Sequence, residues 1–188
     1  MTQHTLNNIP LQPSTQASPT DILDFWLDDG LALGWPTQDL GKRWFGGGAA
    51  LDQEIKTRFG AQVVQAVGGG LQDWEQQPLS RLALVLLLDQ FTRNVFRAAG
   101  QAFAGDARAQ QLVLQTLARQ EDRQLPWVAR VFIYMPLMHA EDLALQEECV
   151  TRFSQLLADA PETLERGPAR AEFMEEIQCP LITARQNV

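Results

Sequence analysis

The feature that most constrains this chain is an apolar run that leads directly into a polar cluster. The run occupies residues 82–88 of the stretch RLALVLLLDQFTRNVF. Four polar side chains follow it without an intervening turn residue: Asp89, Gln90, Arg93 and Asn94. A helix that is apolar on every side is expected to be buried on every side. The sequence therefore predicts a central buried helix over about residues 79–97, with its charges near the edge of the core.

Helical spacing predicts how these polar groups pair. Residues four apart share a helix face, so we expect Asp89 beside Arg93 and Gln90 beside Asn94. One interpretation is structural, with an Asp89–Arg93 ion pair that completes the end of the helix. The other is functional, with Arg93 held by Asp89 while its remaining N–H donors bind a carboxylate or a phosphate.

A second polar cluster follows Pro136 in the stretch FIYMPLMHAEDLALQ. Proline lacks a backbone donor and disfavours a helical conformation in the preceding residue, which predicts a kink or a break there. The cluster then begins a helix, on which His139, Asp142 and Gln146 can face one way. A carboxylate beside an imidazole fixes its tautomer and suits it to general-base chemistry, for which Glu141 is a further candidate. The alternative is an acid-rich first turn in which His139 is a partly buried cap.

Capping residues mark the starts of other helices. Ser18, Pro19 and Asp21 predict a capping box and a first helical residue, and Gly30 is expected to end that helix. Asp52 is expected to cap a second helix that runs to about residue 67.

Later helices are indicated in the same way. Asp106 is expected to cap one helix, Pro126 to start another that Pro136 disrupts, and Pro161 to close the longest late helix. No segment alternates apolar and polar residues as a half-buried strand does, so the predicted fold class is all-α. Residues 1–17 are predicted to be a disordered tail, and residues 18–188 a single helical domain.

Charge, cysteine usage and motif spacing narrow the function classes. The formal net charge is −8, which disfavours nucleic acid as a partner because phosphates are bound through Lys and Arg. The longest apolar run is too short to span a membrane. Cys149 and Cys179 form no paired-cysteine motif, which favours a reducing compartment and predicts a cytoplasmic protein. His139 lacks the neighbours that metal-binding motifs require, so neither a metal nor another cofactor is expected.

Several segments together resemble a bacterial family of unknown function whose members fold as TPR-like helical arrays. The stretches LALVLLLDQFTRN, FAGDARA and YMPLMHAEDLALQ carry the resemblance, preceded by DFWL, RWFGGG, LDQEIKTRFG and WEQQPLSRLAL. It covers roughly residues 21–153 and implies stacked antiparallel helix pairs, with no established activity or cofactor. The family's motif residues that recur in this chain are Asp89, Gln90, Phe91, Arg93, Asn94, Asp106, His139, Glu141, Asp142 and Gln146.

The chain also departs from the family pattern. Thr92 stands where the family usually has Pro, and Ala140 stands where it usually has Ser. Similar proteins continue into a segment that resembles FGRFPHRN, whereas this sequence has EEIQCPLITARQNV. We therefore expect a C-terminal segment, from about residue 160, that is shortened or divergent.

These patterns lead to three hypotheses of function. In the first, the protein is a binding module for a small anionic ligand or a peptide carboxylate. Its polar pocket is predicted to use Asp89, Gln90, Arg93, Asn94, His139, Asp142 and Gln146. In the second, it is an enzyme that uses His139, with Glu141 as a further candidate, for acid–base chemistry and Arg93 as an anion or oxyanion anchor. In the third, the polar cluster only stabilises helix packing. The enzyme hypothesis requires Arg93 and His139 to face one water-accessible cavity.

Overall fold

The structure of the protein is a computed structural model that describes residues 16–160. These residues form helices joined by turns and loops, and no β-strand occurs among them, which confirms the all-α prediction. The residues up to 15 of the predicted tail, Pro161, Cys179 and the expected divergent C-terminal segment lie outside the described range. The α-helices are α1 (Pro19–Leu27), α2 (Gly30–Leu33), α3 (Ala49–Val67), α4 (Pro78–Val85), α5 (Thr92–Val95), α6 (Asp106–Ala118), α7 (Trp127–Met138) and α8 (Leu143–Ala158).

The start of α1 matches the prediction from local sequence. The backbone N–H of Asp21 donates to Oγ of Ser18 at 3.2 Å, and the backbone N–H of Ser18 donates to Oδ2 of Asp21 at 2.7 Å. This reciprocal pair is the expected capping box, with Pro19 as the first helical residue.

The end of α1 differs from the prediction. The helix ends at Leu27, where Asp28 adopts a φ of 50°, and Gly30 begins α2 instead of ending α1. Packing explains the glycine: a Cβ at position 30 would lie 3.0 Å from Cδ of Pro36 and 3.1 Å from Cγ1 of Val128. Gly30 is therefore suited to a close approach between chain segments, and its place in the sequence does not mark a helix end.

The apolar run lies at the centre of the core, as predicted. All the residues from 82 to 88 are 0% exposed. Helical backbone extends over residues 78–95, close to the predicted 79–97, and consists of α4, a π segment at Leu86–Phe91 and α5. Helices α1, α6 and α7 contact α4, while α3 contacts α5 and the π segment. The run is therefore surrounded by other helices, which is why its apolar residues occupy every side.

The π segment is a feature that sequence analysis did not predict. It spans Leu86–Phe91 and so contains Asp89 and Gln90. In a π turn the backbone hydrogen bonds reach five residues instead of four, which widens the turn and alters the side-chain spacing from that of an α-helix. The assumption of regular α-helical spacing beyond residue 85 was therefore wrong.

The predicted caps of α3 and α6 are each displaced from the observed helix starts. Helix α3 begins at Ala49, so Asp52 lies within its first turn and does not cap it. Helix α6 begins at Asp106 itself, and Gly105 occupies the cap position without a side-chain hydrogen bond. Both carboxylates instead bind side chains from the end of the central helical region, as described below.

Pro136 does not break its helix, so the break that was one of the two predicted outcomes is wrong. Helix α7 continues through Pro136 to Met138, and His139 is the C-terminal cap residue of α7, not the start of the next helix. Asp142 caps α8 through a hydrogen bond from the backbone N–H of Leu145 to its Oδ1 at 3.0 Å. Proline costs a helix one hydrogen bond, and here the residue is buried among helices that hold the backbone in place.

Helices α7 and α8 form an antiparallel pair. The indole N–H of Trp127, at the start of α7, donates to the carbonyl of Leu156, near the end of α8, at 2.9 Å. One pair of this kind agrees with the predicted helix pairs, while the TPR-like stacking of several pairs stays a prediction. Within residues 16–160, no helix combines the length and the hydrophobicity needed to cross a bilayer.

Candidate functional site

The first component of the site is a buried carboxylate on the π segment. Asp89 is 1% exposed, and its Oδ1 lies 2.8 Å from Nδ1 of His139. Its Oδ2 accepts a hydrogen bond from Nε2 of Gln90 at 2.6 Å. A buried carboxylate needs such partners because desolvation of an unpaired charge is costly. Asp89 therefore joins the two polar clusters that the sequence places far apart.

Arg93 binds a partner other than the one expected from helical spacing. Its Nη1 and Nη2 donate to the two carboxylate oxygens of Asp106 at 2.7 and 3.1 Å. Nη1 also donates to the carbonyl of Ala102 at 2.6 Å. The predicted contact with Asp89 is only a 3.8 Å ion pair. Because a two-point hydrogen bond between guanidinium and carboxylate is stronger than a distant ion pair, Asp106 is the main partner of Arg93.

Arg93 and His139 face one open cleft of about 740 Å³. Asp89 does not line this cleft but contacts both residues. The side chains of Arg93 and His139 are 26% and 30% exposed, so each is partly covered and still reaches solvent. The lining residues are Arg93, Phe103, Asp106, Ala107, Gln110, His139, Glu141 and Asp142.

The cleft carries more negative than positive charge. Arg93 is its one arginine or lysine, and Asp106 already compensates that charge. Glu141 is exposed and accepts no hydrogen bond from the described residues, and Asp142 uses only Oδ1 to cap α8. The carboxylates of Glu141 and Asp142 are therefore available to a ligand that enters from solvent.

Phe103 adds an apolar surface to the cleft. Its ring lies under the guanidinium of Arg93, with Cζ 4.9 Å from the ring centroid, and the residue is 63% exposed. A cation over an aromatic ring is attracted by the negative face of the ring. This contact, together with Asp106, fixes the orientation of the guanidinium at the cleft.

A glycine next to Asp106 sets how closely the first turn of α6 approaches the π segment. A Cβ at Gly105 would lie 2.2 Å from the carbonyl oxygen of Leu88 and 2.8 Å from its Cα. No side chain fits in that space. Because Gly105 has no Cβ, the backbone at the start of α6 can lie against the backbone of Leu88. This close approach lets Asp106 reach Arg93.

Two residues predicted to belong to the site lie elsewhere. Asn94 donates to Oδ1 of Asp52 at 2.8 Å, and Arg97 also binds that carboxylate. The hydrogen bond from Arg97 lowers the pKa of Asp52 below its usual value, assisted by Asn94 and opposed by burial. Gln146 donates to the carbonyl of Ala140 at 2.8 Å, so it stabilises the turn before α8. Neither Asn94 nor Gln146 lines the cleft.

Gln90 supports the site without lining it, and four residues that line the cleft were not predicted to belong to the site. The amide of Gln90 holds Asp89 from one side. Asp106 was expected as a helix cap and as a motif residue of the family that the chain resembles, and Phe103, Ala107 and Gln110 had no predicted role. Its place among the family's motif residues is the sequence signal that could have assigned Asp106 to the site.

Other reactive groups do not extend the site. Burial raises the pKa of the Cys149 thiol to about 12, and the residue is 0% exposed. Such a thiol is a core side chain and not a nucleophile. Among the residues that the structure describes, no three His, Cys, Asp or Glu side chains converge as ligands for a metal ion.

Comparison with known proteins identifies the family. A profile of the bacterial proteins of unknown function called DUF924 matches residues 22–180. The chain belongs to the DUF924 family. The match continues past residue 153, where the resemblance based on motifs ends. None of the curated proteins compared with the chain matches it.

A solved structure supports the same relationship. The chain is similar to the protein of unknown function ATU0120 from Agrobacterium tumefaciens, with 29% sequence identity and a TM-score of 0.66. The alignment covers 89% of this chain and 82% of that one. Neither comparison assigns an activity. The chemistry of the residues in the cleft is therefore the basis for a function of this DUF924 protein.

The segments that carry the DUF924 resemblance meet at this cleft. The stretch LALVLLLDQFTRN supplies Asp89 and Arg93, the stretch FAGDARA supplies Phe103 and Asp106, and His139 comes from YMPLMHAEDLALQ. The most recognisable parts of the sequence therefore converge on one place in the fold.

Proposed function

We propose that this DUF924 protein is a binding module whose cleft takes a small molecule with a carboxylate group. The observation that carries the proposal is that Arg93 and His139 line the same cleft while the buried Asp89 contacts both. Side chains that are held in position before a ligand arrives lose little conformational freedom on binding. The site thus has the preorganisation that a specific small-molecule site needs.

Arg93 keeps a donor for a carboxylate, and His139 keeps one ring nitrogen that a ligand can reach. Within residues 16–160, Nε2 of His139 and Nε of Arg93 have no hydrogen-bond partner, because His139 uses Nδ1 and Arg93 uses its two Nη atoms. An N–H donor on Arg, or on a protonated His, forms a charge-assisted hydrogen bond with a carboxylate. A peptide carboxylate or a free small acid meets this requirement.

The acidic residues of the cleft restrict the class of ligand further. Glu141 and Asp142 repel a ligand that carries several negative charges, and Asp106 competes with any anion for Arg93. A ligand that combines one carboxylate with one ammonium group can place the carboxylate at Arg93 and the ammonium group at Glu141 and Asp142. Free amino acids and short peptides are the simplest molecules of this kind, so we favour them over phosphate or a polycarboxylate.

A thermal-shift experiment tests this proposal. The full chain is heated with glycine, other free amino acids, dipeptides, acetate, citrate and inorganic phosphate. A ligand at about 100 times its Kd stabilises the folded state by about 2.7 kcal/mol, which raises Tm by several degrees. We expect a zwitterionic compound to raise Tm, and this effect to disappear in Arg93→Ala.

Arg97→Ala is the matched control, because it also removes an arginine paired with an aspartate, but outside the cleft. It should keep the ligand response of the unchanged chain. The proposal is wrong if no compound raises Tm, or if Arg93→Ala and Arg97→Ala reduce the response equally. A response to phosphate alone would reject the zwitterionic class.

A further inference from the structure

The contact between Asp89 and His139 carries an inference beyond binding. Asp89 is buried, its Oδ2 accepts a hydrogen bond from Nε2 of Gln90, and its Oδ1 lies 3.8 Å from the guanidinium of Arg93. A carboxylate accepts hydrogen bonds and donates none, so the proton of a neutral His139 belongs on Nδ1, which faces Asp89 at 2.8 Å. The lone pair on Nε2 is then free to accept a proton.

We propose that His139 is a general base that activates water in this cleft for the hydrolysis of a carboxylate-bearing ester. The inference rests on the proposed function, because the same cleft holds the ester. Arg93 would bind the free carboxylate of the substrate. His139 is the catalytic residue, and Asp89 is a positioning residue that fixes the imidazole tautomer and stabilises the imidazolium.

The residues around the cleft favour water as the nucleophile. The lining contains no Ser, Thr, Cys, Lys or Tyr side chain from the described part of the chain. The cleft is open, so water reaches His139, whose side chain is 30% exposed. An imidazole that accepts a proton from water makes the water oxygen a stronger nucleophile. A covalent intermediate on a hydroxyl or thiol of these lining residues is thereby excluded.

The reaction balances without another reactant. Nε2 of His139 takes a proton from water while the water oxygen bonds to the ester carbonyl carbon. The tetrahedral intermediate then breaks its C–O bond to the alcohol, and the imidazolium returns the proton to the leaving oxygen. The products are a carboxylic acid and an alcohol. General-base catalysis contributes about 10²- to 10⁴-fold, which suits an ester better than the less reactive amide.

The test uses para-acetoxybenzoate, an aryl ester with a free carboxylate, and its uncharged methyl carboxylate ester as a comparison. Release of para-hydroxybenzoate, or of methyl para-hydroxybenzoate from the comparison ester, is followed with the full chain and with His139→Gln, Asp89→Asn and Arg97→Ala. We expect saturable hydrolysis in the unchanged chain, with kcat lowered by about 10²-fold or more in His139→Gln and in Asp89→Asn while KM stays within a few-fold. Arg97→Ala should retain full activity, and the methyl ester should show a higher KM.

Tautomer measurement separates catalysis from a structural role. Nitrogen NMR of His139 should place the proton on Nδ1 in the unchanged chain and on Nε2 in Asp89→Asn, where an amide can donate to Nδ1. If Asp89→Asn does not fold, His139→Gln gives the same kinetic test at a partly exposed position. Equal kcat in His139→Gln and the unchanged chain would overturn the proposal, as would no hydrolysis above buffer.

The two proposals fail in different ways. If para-acetoxybenzoate binds by thermal shift and is not hydrolysed, the general-base inference is wrong while the binding function stands. If neither para-acetoxybenzoate nor any zwitterionic compound binds, both are wrong. Hydrolysis that survives in His139→Gln would assign the activity to another group.

Discussion

Nδ1 of His139 lies 2.8 Å from Oδ1 of Asp89, although the two residues are 50 positions apart in the chain. Asp89 belongs to the π segment of the central helical region, and His139 ends α7. The contact ties the end of one buried helix to the middle of another. Because Asp89 is 1% exposed, this hydrogen bond is formed away from water, where it orients the imidazole more firmly than a surface contact would.

Replacement of Arg93 should destabilise the protein more than replacement of Arg97. Arg93→Ala leaves Asp106 without its two-point partner and the Ala102 carbonyl without its donor. A hydrogen bond to a charged group contributes about 1.5–3 kcal/mol, and we expect a loss in that range. Arg97→Ala removes a more exposed pair, for which a loss below about 1 kcal/mol is expected.

Urea unfolding of both arginine variants measures this difference. The double variant Arg93→Ala/Asp106→Ala should cost little more than Arg93→Ala alone, because the two residues stabilise the fold through one interaction. Equal stabilities of the Arg93 and Arg97 variants would mean that the Arg93–Asp106 contact contributes no more than a surface ion pair.

A methyl group at position 105 should be poorly tolerated. In Gly105→Ala the new Cβ would meet the Leu88 carbonyl oxygen at 2.2 Å, so backbone on one side must move. Overpacking of this kind costs about 1–3 kcal/mol and occasionally more, and the displacement of Asp106 should also weaken ligand binding at the cleft.

Gly60→Ala is the matched control for Gly105. Position 60 lies inside α3, and the nearest group to a new Cβ there is the flexible Lys56 side chain at 3.8 Å. Alanine favours a helix over glycine by about 0.5–1 kcal/mol, so this variant should be as stable as the unchanged chain or more stable. Urea midpoints in the opposite order would contradict the close approach of α6 to the π segment.

The single tyrosine of the chain gives a direct pH prediction. Burial, together with the hydrogen bond that its hydroxyl donates to Asp122 at 2.6 Å, raises the pKa of Tyr134 from 10.0 to about 12. Since the folded pKa is higher than the unfolded pKa, the stabilisation is complete below pH 10 and is lost as pH rises toward 12.

Tyrosinate absorbance measures this pKa without interference from another tyrosine. The ionisation midpoint should lie near pH 12 while circular dichroism still reports helix. In Tyr134→Phe, the tyrosinate absorbance should disappear. The part of the stability loss at alkaline pH that comes from ionisation of Tyr134 should disappear with it. A midpoint near pH 10 in the folded chain would show that the hydroxyl is accessible to water.

Asp52 should make the stability sensitive to acid. The hydrogen bond from Arg97 lowers the pKa of this carboxyl below its usual 3.8. A lowered folded pKa means that the stabilisation is present above pH 3.8 and is lost as pH falls through the folded pKa. At neutral pH, Asp52→Asn should reduce the free energy of unfolding by less than about 1 kcal/mol, because Arg97 is exposed. This difference from the unchanged chain should shrink as the pH falls below 3.8.

Denaturant unfolding at neutral and acidic pH tests the role of Asp52. The exposed Asp73 provides a control variant, Asp73→Asn, which keeps the same change in charge. If the difference for Asp52→Asn is constant across this range, the Asp52–Arg97 contact does not depend on the charge of the carboxylate.

Sequence patterns indicated some of the residues that meet at the candidate cleft. They singled out Arg93 and His139, which share the cleft, and Asp89, which contacts both. They did not separate these residues from Asn94 and Gln146, whose side chains bind elsewhere. Helical spacing ranks only neighbours on the same helix, so it carries no information about an acceptor on another element.

The local sequence by itself determined the elements whose causes lie within a few residues. The capping box at Ser18 and Asp21 formed as predicted because its atoms belong to one turn. The apolar run at residues 82–88 required burial on every side, whatever packs around it.

The tertiary structure determined which partners the polar side chains bind. Arg93 binds Asp106 because the missing side chain at Gly105 lets α6 approach the π segment, and His139 reaches Asp89 because α7 continues through Pro136. Both outcomes depend on how separate helices pack, and packing is settled by the shapes of many distant side chains together. Local spacing therefore indicated the chemistry of the site, and the packed helices determined its geometry.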